Sequence, residues 1–286
     1  MITEKSPAKV NLTLEILGRR ADGYHEVRTL IAFARDVYDV VEFASGGPAE
    51  VRVSGPFAKA IVGENVADKA LRLVAAAGPH LQLGTVSIEK RLPVAAGVGG
   101  GSANAAAILR ALRRVNGDAG VDWDGIALSL GADVPVCLAN RGAQQGGIGE
   151  RRDGEGVAFP FAAVLVNPMQ TVPADKTAQV FKRLAAPPFD PNRAVEKAEQ
   201  FESAEAQLRY IRDRGNHLEP PALGVVPAIA DVLSALRGLS DCRYAALSGA
   251  GPTCFGIFDG SDQADAAAGQ LREAYPNWWV AATMLE

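Results

Sequence analysis

From Gly97 to Ser102 the chain reads Gly-Val-Gly-Gly-Gly-Ser and then enters an alanine-rich stretch with helical spacing. Glycine lacks a Cβ, so such a run brings backbone N–H groups close to a ligand and accepts positive φ. A helix start behind it adds unpaired N–H groups and a partial positive charge. Together they suit an anion, most often a phosphate. Neither familiar glycine template fits. A dinucleotide fingerprint needs glycine or alanine where Ser102 stands, and a Walker A loop needs lysine where Ala103 stands. A glycine loop is also an ordinary tight turn, so other residues must decide.

Three features accompany it. Lys9 opens the polar side of an alternating segment, Asp133 sits between Gly131 and Pro135, and Ser248, Gly249 and Gly251 form a second glycine turn in "LSGAGPTCF". Singly they read as a solvated edge lysine, a turn aspartate and a tight turn. As a set they offer a cation for phosphate charge, a carboxylate for a proton, and two loops for close approach.

The elements that must position these residues follow from periodicity. In "KVNLTLEIL" Val10, Leu12, Leu14 and Ile16 alternate with Lys9, Asn11, Thr13 and Glu15, which predicts a strand with one apolar and one polar face. "GRRADGYHE" reads as a turn-rich connection, and "VYDVVEF" and "VRVSG" as strands. A helix is expected over residues 65–77, then a strand in "TVSIEKRL" leading to the glycine loop. Beyond that loop Ala105, Ile108, Leu109 and Leu112 share one helical face, with Gly117 as cap. Residues 121–130 read as a second helix, "GADVP" as a loop, "VCLAN" as a strand and "GAQQGGIGE" as flexible. Residues 185–205, rich in proline and charge, read as an inter-domain or mobile segment. The remaining C-terminal half predicts a strand in "AAVLVNP", helices over 176–184, 227–236 and 261–275 (Ser261 as N-cap), and strands over 243–247, 254–258 and 278–284. Helices interleaved with paired strands suggest a split βαβ unit.

Composition narrows the class. The 286 residues carry a formal net charge of −4, which argues against non-specific nucleic-acid binding. No apolar run reaches membrane-span or signal-peptide length, so a cytoplasmic protein with no membrane partner is expected. Cys137, Cys242 and Cys254 show no metal or disulfide spacing.

The ordered set of a lysine strand, a central glycine loop and a C-terminal glycine loop resembles the GHMP kinase superfamily. The matching stretches are "PAKVNLTLEILGRRADGYHEV", "ENVADKA", "PVAAGVGGGSANAA", "LGADVPV", "GGIGE", "NHLE" and "LSGAGPTCF", spread from Pro7 to Phe255. "GRRADGYHEV" is the most specific of them, and points to the branch whose acceptor carries a cytidine diphosphate. Two positions depart from the pattern: Ala103 replaces a second serine, and His217 stands where the family has aspartate.

The resemblance implies an α+β, two-domain GHMP kinase fold. It comprises an N-terminal ribosomal-protein-S5-like nucleotide-binding domain (1–155) and a C-terminal ferredoxin-like split βαβ domain (156–286). It implies ATP-dependent phosphorylation of the 2-hydroxyl of cytidine-diphospho-methylerythritol, in the non-mevalonate route to isoprenoid precursors, with Mg²⁺ at the phosphates. Asp133 would be the general base and Lys9 the neutralising cation, with Gly97, Gly99, Gly100, Gly101 and Ser102 around the phosphates. Asn65 and Lys90 would line the nucleotide, while Asn11, Tyr24, His25, Thr177, Phe181, Ser248, Gly249 and Gly251 would form the acceptor side. Tyr24 and Phe181 would sandwich the pyrimidine, with His25 reading its edge. The only partner implied is the small-molecule substrate, for a monomer or homodimer. Two alternatives stay open: another GHMP small-molecule kinase, or a non-catalytic nucleotide-binding regulator on the same fold.

Overall fold

The computed structural model describes the chain except residues 62–64, 119 and 193–195. Two compact units are present, and the chain threads them rather than filling them in turn. The first comprises Met1–Lys9, Val37–Val94 and Gly99–Asn140, the second Val10–Asp36, Ala95–Val98 and Arg141–Glu286. Strands β1 (Ile2–Arg19) and β2 (His25–Ser45) contribute residues to both.

In the first unit, β3 (Glu50–Ser54), α1 (Val66–Ala77) and β4 (Gly84–Glu89) make a βαβ crossover, with β3 parallel to β4. β4 in turn runs antiparallel to residues 40–45 of β2. α2 (Gly100–Asn116), α3 (Trp123–Leu130) and α4 (Val134–Ala139) pack with α1 as a helical layer. Ala105, Ile108, Leu109 and Leu112 of α2 are buried as their spacing predicts, but so are Ala103, Asn104, Ala106, Ala107 and Ala111. Alanine allows close approach on more than one side, so this helix is enclosed well beyond a single stripe. Gly117 caps it, donating its N–H to Arg113 O at 2.8 Å.

The second unit contains β5 (Ala143–Gly146), β6 (Arg151–Glu155), β7 (Phe161–Asn167), α5 (Lys176–Leu184), α6 (Ala204–Arg214), α7 (Glu219–Leu223) and α8 (Ala228–Arg237). It ends with β8 (Tyr244–Leu247), β9 (Cys254–Phe258), α9 (Ser261–Ala274) and β10 (Trp279–Leu285). The strand order β10-β7-β9-β8 is antiparallel throughout, the ferredoxin-like arrangement expected of a split βαβ unit. α8 and α9 pack on it through Ile229, Val232, Leu236, Ala264, Ala268 and Leu271.

Several expectations are corrected. "VCLAN" is helix α4, not a strand: Pro135 supplies a first-turn φ, and a six-residue apolar run has no periodicity long enough to choose. β2 begins at His25, inside the segment read as a turn, and "GAQQGGIGE" contains the fully buried strand β5, paired with β2 at Thr29↔Gln145. Residues 185–205 do not join the two units, since both their ends lie in the second. Phe189 N–H donates to Arg19 O and Glu199 N–H to Gln144 Oε1, each at 2.8 Å. α9 starts one residue earlier than a Ser261 N-cap allows, with Gly260 in that place.

The polar side of β1 is buried too, because each group has a partner. Thr13 Oγ1 accepts from Leu30 N–H (2.9 Å), and Glu15 accepts from Arg28 (2.7 Å) and Arg214 (3.1 Å). Lys9 and Asn11 share that side.

Candidate active site

In the first unit Lys9, only 3% exposed, donates from Nζ to Asp133 Oδ2 at 2.9 Å. Asp133 holds the N-cap position of α4, yet its side chain makes no capping bond, which leaves the carboxylate to the lysine. The Asp133 side chain is 40% exposed, so one face of it is open to an acceptor. Gly99 precedes α2 with φ 64°, and a Cβ there would lie 3.1 Å from Lys9 Cβ and 3.2 Å from Cε. Only glycine satisfies both the left-handed backbone and the lysine stem lying over it. Cation, carboxylate and the electropositive end of α2 therefore share one place.

The nucleotide-side candidates divide. Lys90 pairs with Asp39, both buried, and Asp39 also accepts from Arg91 N–H (2.7 Å) and Leu92 N–H (2.8 Å). So held, the Lys90 ammonium stands 3.1 Å from where a Gly100 Cβ would be, at the start of α2. Asp39 was missed by sequence reasoning, although an aspartate inside the apolar "VYDVVEF" was a usable signal. Gly101 and Ser102 lie in the first turn of α2, and nothing stands within 4 Å of a Cβ built on Gly101. Asn65 caps α1, its Oδ1 accepting from Ala67 N–H at 3.1 Å.

In the second unit the two glycine loops meet. Ser248 Oγ donates to Gly97 O (3.0 Å) and accepts from Asn11 N–H (3.2 Å), while Thr253 N–H donates to Ala96 O (3.0 Å). A Cβ on Gly97 would come within 2.7 Å of Gly251 O, so the approach requires glycine there. Gly249 and Gly251 have φ of 56° and 70°. Asn216 Nδ2 donates to Leu247 O (2.7 Å) and Gly249 O (2.8 Å), and Glu219 accepts from Leu247 N–H, so the "NHLE" segment braces the loop. His217, the departure from the family pattern, accepts Ile16 N–H of β1 at Nδ1 (3.1 Å). Asn11 Nδ2 donates to Thr29 Oγ1 at 2.8 Å. Lys176, also missed, is buried at the start of α5 and donates to Ala95 O and Gly251 O.

Of the acceptor-side candidates, His25 and Phe181 come together, their ring centroids 4.7 Å apart and tilted by 30°. Burial and the nearby Arg19 charge hold the His25 imidazole below its ordinary pKa. A neutral imidazole keeps one donor and one acceptor, which suits reading a polar ring edge. The ring facing Phe181 is thus that of His25, and Tyr24 stands 60% exposed. Thr177 is exposed in the first turn of α5. Among the described residues no group of three or more His, Cys, Asp or Glu is placed to hold a metal ion, and no helix is long and apolar enough to cross a membrane.

Comparison with known proteins identifies the family. The profile of the GHMP kinases N terminal domain matches residues 65–141, and that of the GHMP kinases C terminal matches residues 194–277. The chain is 42% identical to the 4-diphosphocytidyl-2-C-methyl-D-erythritol kinase of Paramagnetospirillum magneticum, over 98% of this chain and 97% of that one. It is 43% identical to the kinase of the same name from Methylorubrum extorquens, over 100% and 99%. A crystal structure of 4-(cytidine 5'-diphospho)-2C-methyl-D-erythritol kinase superposes with a TM-score of 0.77 at 34% identity, covering 99% of both chains. Homoserine kinase from Cytophaga hutchinsonii shares the fold alone (TM-score 0.66, 15% identity, covering 100% of this chain and 94% of that one).

Proposed function

The chain belongs to the 4-diphosphocytidyl-2-C-methyl-D-erythritol kinase family of the GHMP kinases, and we propose that Lys9 and Asp133 carry its chemistry. The reaction moves the γ-phosphoryl of ATP to the 2-hydroxyl of the cytidylyl substrate. The hydroxyl oxygen forms a bond to the γ-phosphorus, the bond to the β,γ-bridging oxygen breaks, and ADP leaves. Asp133 takes the hydroxyl proton, a role worth roughly 10²–10⁴-fold. Lys9 beside it offsets charge on the moving phosphoryl. Gly97 and the N–H groups of Gly99, Gly100, Gly101 and Ser102 receive the phosphates at the start of α2. Lys90, oriented by Asp39, and Asn65 stand on the nucleotide side.

Magnesium would accompany the nucleotide phosphates at the Gly97–Ser102 loop. Bound there, it supplies charge neutralisation for phosphoryl transfer. On the acceptor side Phe181 and His25 face the cytosine, and the exposed Tyr24 ring closes over it. Asn11, Thr177, Ser248, Gly249 and Gly251 engage the rest of the substrate. The donor-side residues all fall within 1–155, and residues 156–286 complete the acceptor side. A charged, water-soluble metabolite as substrate fits a cytoplasmic enzyme, working as a monomer or homodimer.

The observation that carries this reading is the 2.9 Å Lys9–Asp133 pair over the glycine that opens α2. A regulator that only bound nucleotide would have no need of a base. Coupled ADP release tests it, with the cytidylyl substrate against the undecorated polyol phosphate and mevalonate. Turnover is expected with the first alone. Asp133→Asn should lower kcat by about 10²–10⁴-fold and leave ATP binding nearly intact. Near-normal turnover in that variant would remove Asp133 from the mechanism.

A further inference from the structure

Lys176 is an unexpected residue where it stands. It opens α5, the helix end at which positive charge is disfavoured, and its side chain is buried. Among the described residues no carboxylate pairs with it. Its Nζ donates instead to two backbone carbonyls, Ala95 O at 3.2 Å and Gly251 O. Burial lowers its pKa to about 8. A buried cation answered by backbone carbonyls is a costly choice where an apolar side chain would pack.

Both carbonyls belong to the glycine loops. Ala95 has φ 55°, a left-handed conformation that a residue with a Cβ avoids, and the residues after it lead into the phosphate loop. Ala96 O is fixed by Thr253 N–H, and Gly97 lies against Gly251 O. An ammonium drawing Ala95 O and Gly251 O toward itself ties the entry of one loop to the tip of the other. Carbonyls engaged in this way are not free to turn toward an incoming phosphate, whose charge they would repel.

We propose that Lys176 is a positioning residue for the phosphoryl donor, holding Ala95 and Gly251 so that the glycine loop presents N–H groups rather than carbonyls to the phosphate chain. This rests on the assignment of the glycine loop to ATP given above, but not on the identity of the acceptor. The same turn of α5 carries Thr177, so the clamp also links donor loop and acceptor side through one helix start.

The test compares binding of a non-hydrolysable ATP analogue and of adenosine to the full-length protein. Lys176→Met, similar in length and without charge, should weaken the analogue by about 10-fold or more. Adenosine affinity should stay unchanged, since adenosine has no phosphate chain. Lys176→Arg, which keeps a cation and several donors, should recover most of the loss. If Lys176→Met does not fold, Lys176→Gln, neutral and one atom shorter, should show the same split. A variant with a lowered melting temperature but wild-type affinity for the analogue would overturn the proposal, as would parallel loss of both ligands. The two readings fail separately. Wild-type protein that binds ATP but does not turn over the cytidylyl substrate would sink the acceptor assignment, and the Lys176 split would still stand.

Discussion

Replacing Gly101 by alanine separates what the fold wants at the start of α2 from what a phosphate wants there. Gly101 is already helical, without positive φ, and a Cβ built on it meets nothing within 4 Å. For the fold alone, alanine is the better residue, because it costs the unfolded chain conformational freedom and has higher helix propensity. The gain should be about 0.5–1 kcal/mol, or a rise of roughly 1–3 °C in melting temperature for a chain of this size. For ATP the same methyl is an obstacle, since it occupies the space in front of the helix N–H groups. Losing one hydrogen bond from an N–H to a charged phosphate oxygen costs about 1.5–3 kcal/mol, so affinity should fall roughly 10- to 100-fold. Thermal unfolding and titration with ATP and adenosine measure both effects on one preparation. The expected signature is a more stable protein with weaker ATP binding and unchanged adenosine binding. Higher stability with unaltered ATP affinity would refute the reasoning, because the phosphates would then lie elsewhere.

Gly99→Ala should behave oppositely. Its φ of 64° and the 3.1 Å approach of Lys9 Cβ mean a methyl strains the backbone and pushes the lysine from Asp133. Stability should fall by about 1–2 kcal/mol and kcat by at least ~10-fold, read by unfolding and coupled ADP release. Unchanged kcat would detach Lys9 from the reaction. For His25, whose pKa is depressed from 6.5 by burial and by Arg19, the neutral form is the one the fold prefers. The unfolded chain binds this proton more readily, so its contribution to stability is complete above pH 6.5 and is lost as pH falls. The KM for the acceptor should therefore be flat from neutral pH upward and rise only in acid. A rise centred between pH 7 and 8 would show that His25 is not what the substrate meets.

Local chemistry made part of this protein readable in order along the chain. The glycine run before α2 needs no partner to be recognised as an anion socket, because its backbone freedom and the helix end behind it are properties of neighbouring residues. The same holds for β7, α5, β9 and α2, whose apolar spacing is complete within each segment. Other features depend on partners distant in sequence. Nothing in "KVNLTLEIL" says that its polar side is buried; Arg28, Arg214 and Leu30 must arrive to satisfy Glu15 and Thr13. "VCLAN" is equally good as strand or helix until α2 and α3 pack against it, and only as helix does it leave Asp133 at a cap position facing Lys9. Nothing local marks Lys176 as a buried charge, since desolvation is a property of what packs around a group. Neighbouring residues alone mark where backbone can approach an anion. The tertiary structure decided which charges lie there, because only packing can place a lysine over a glycine or bury one between two carbonyls.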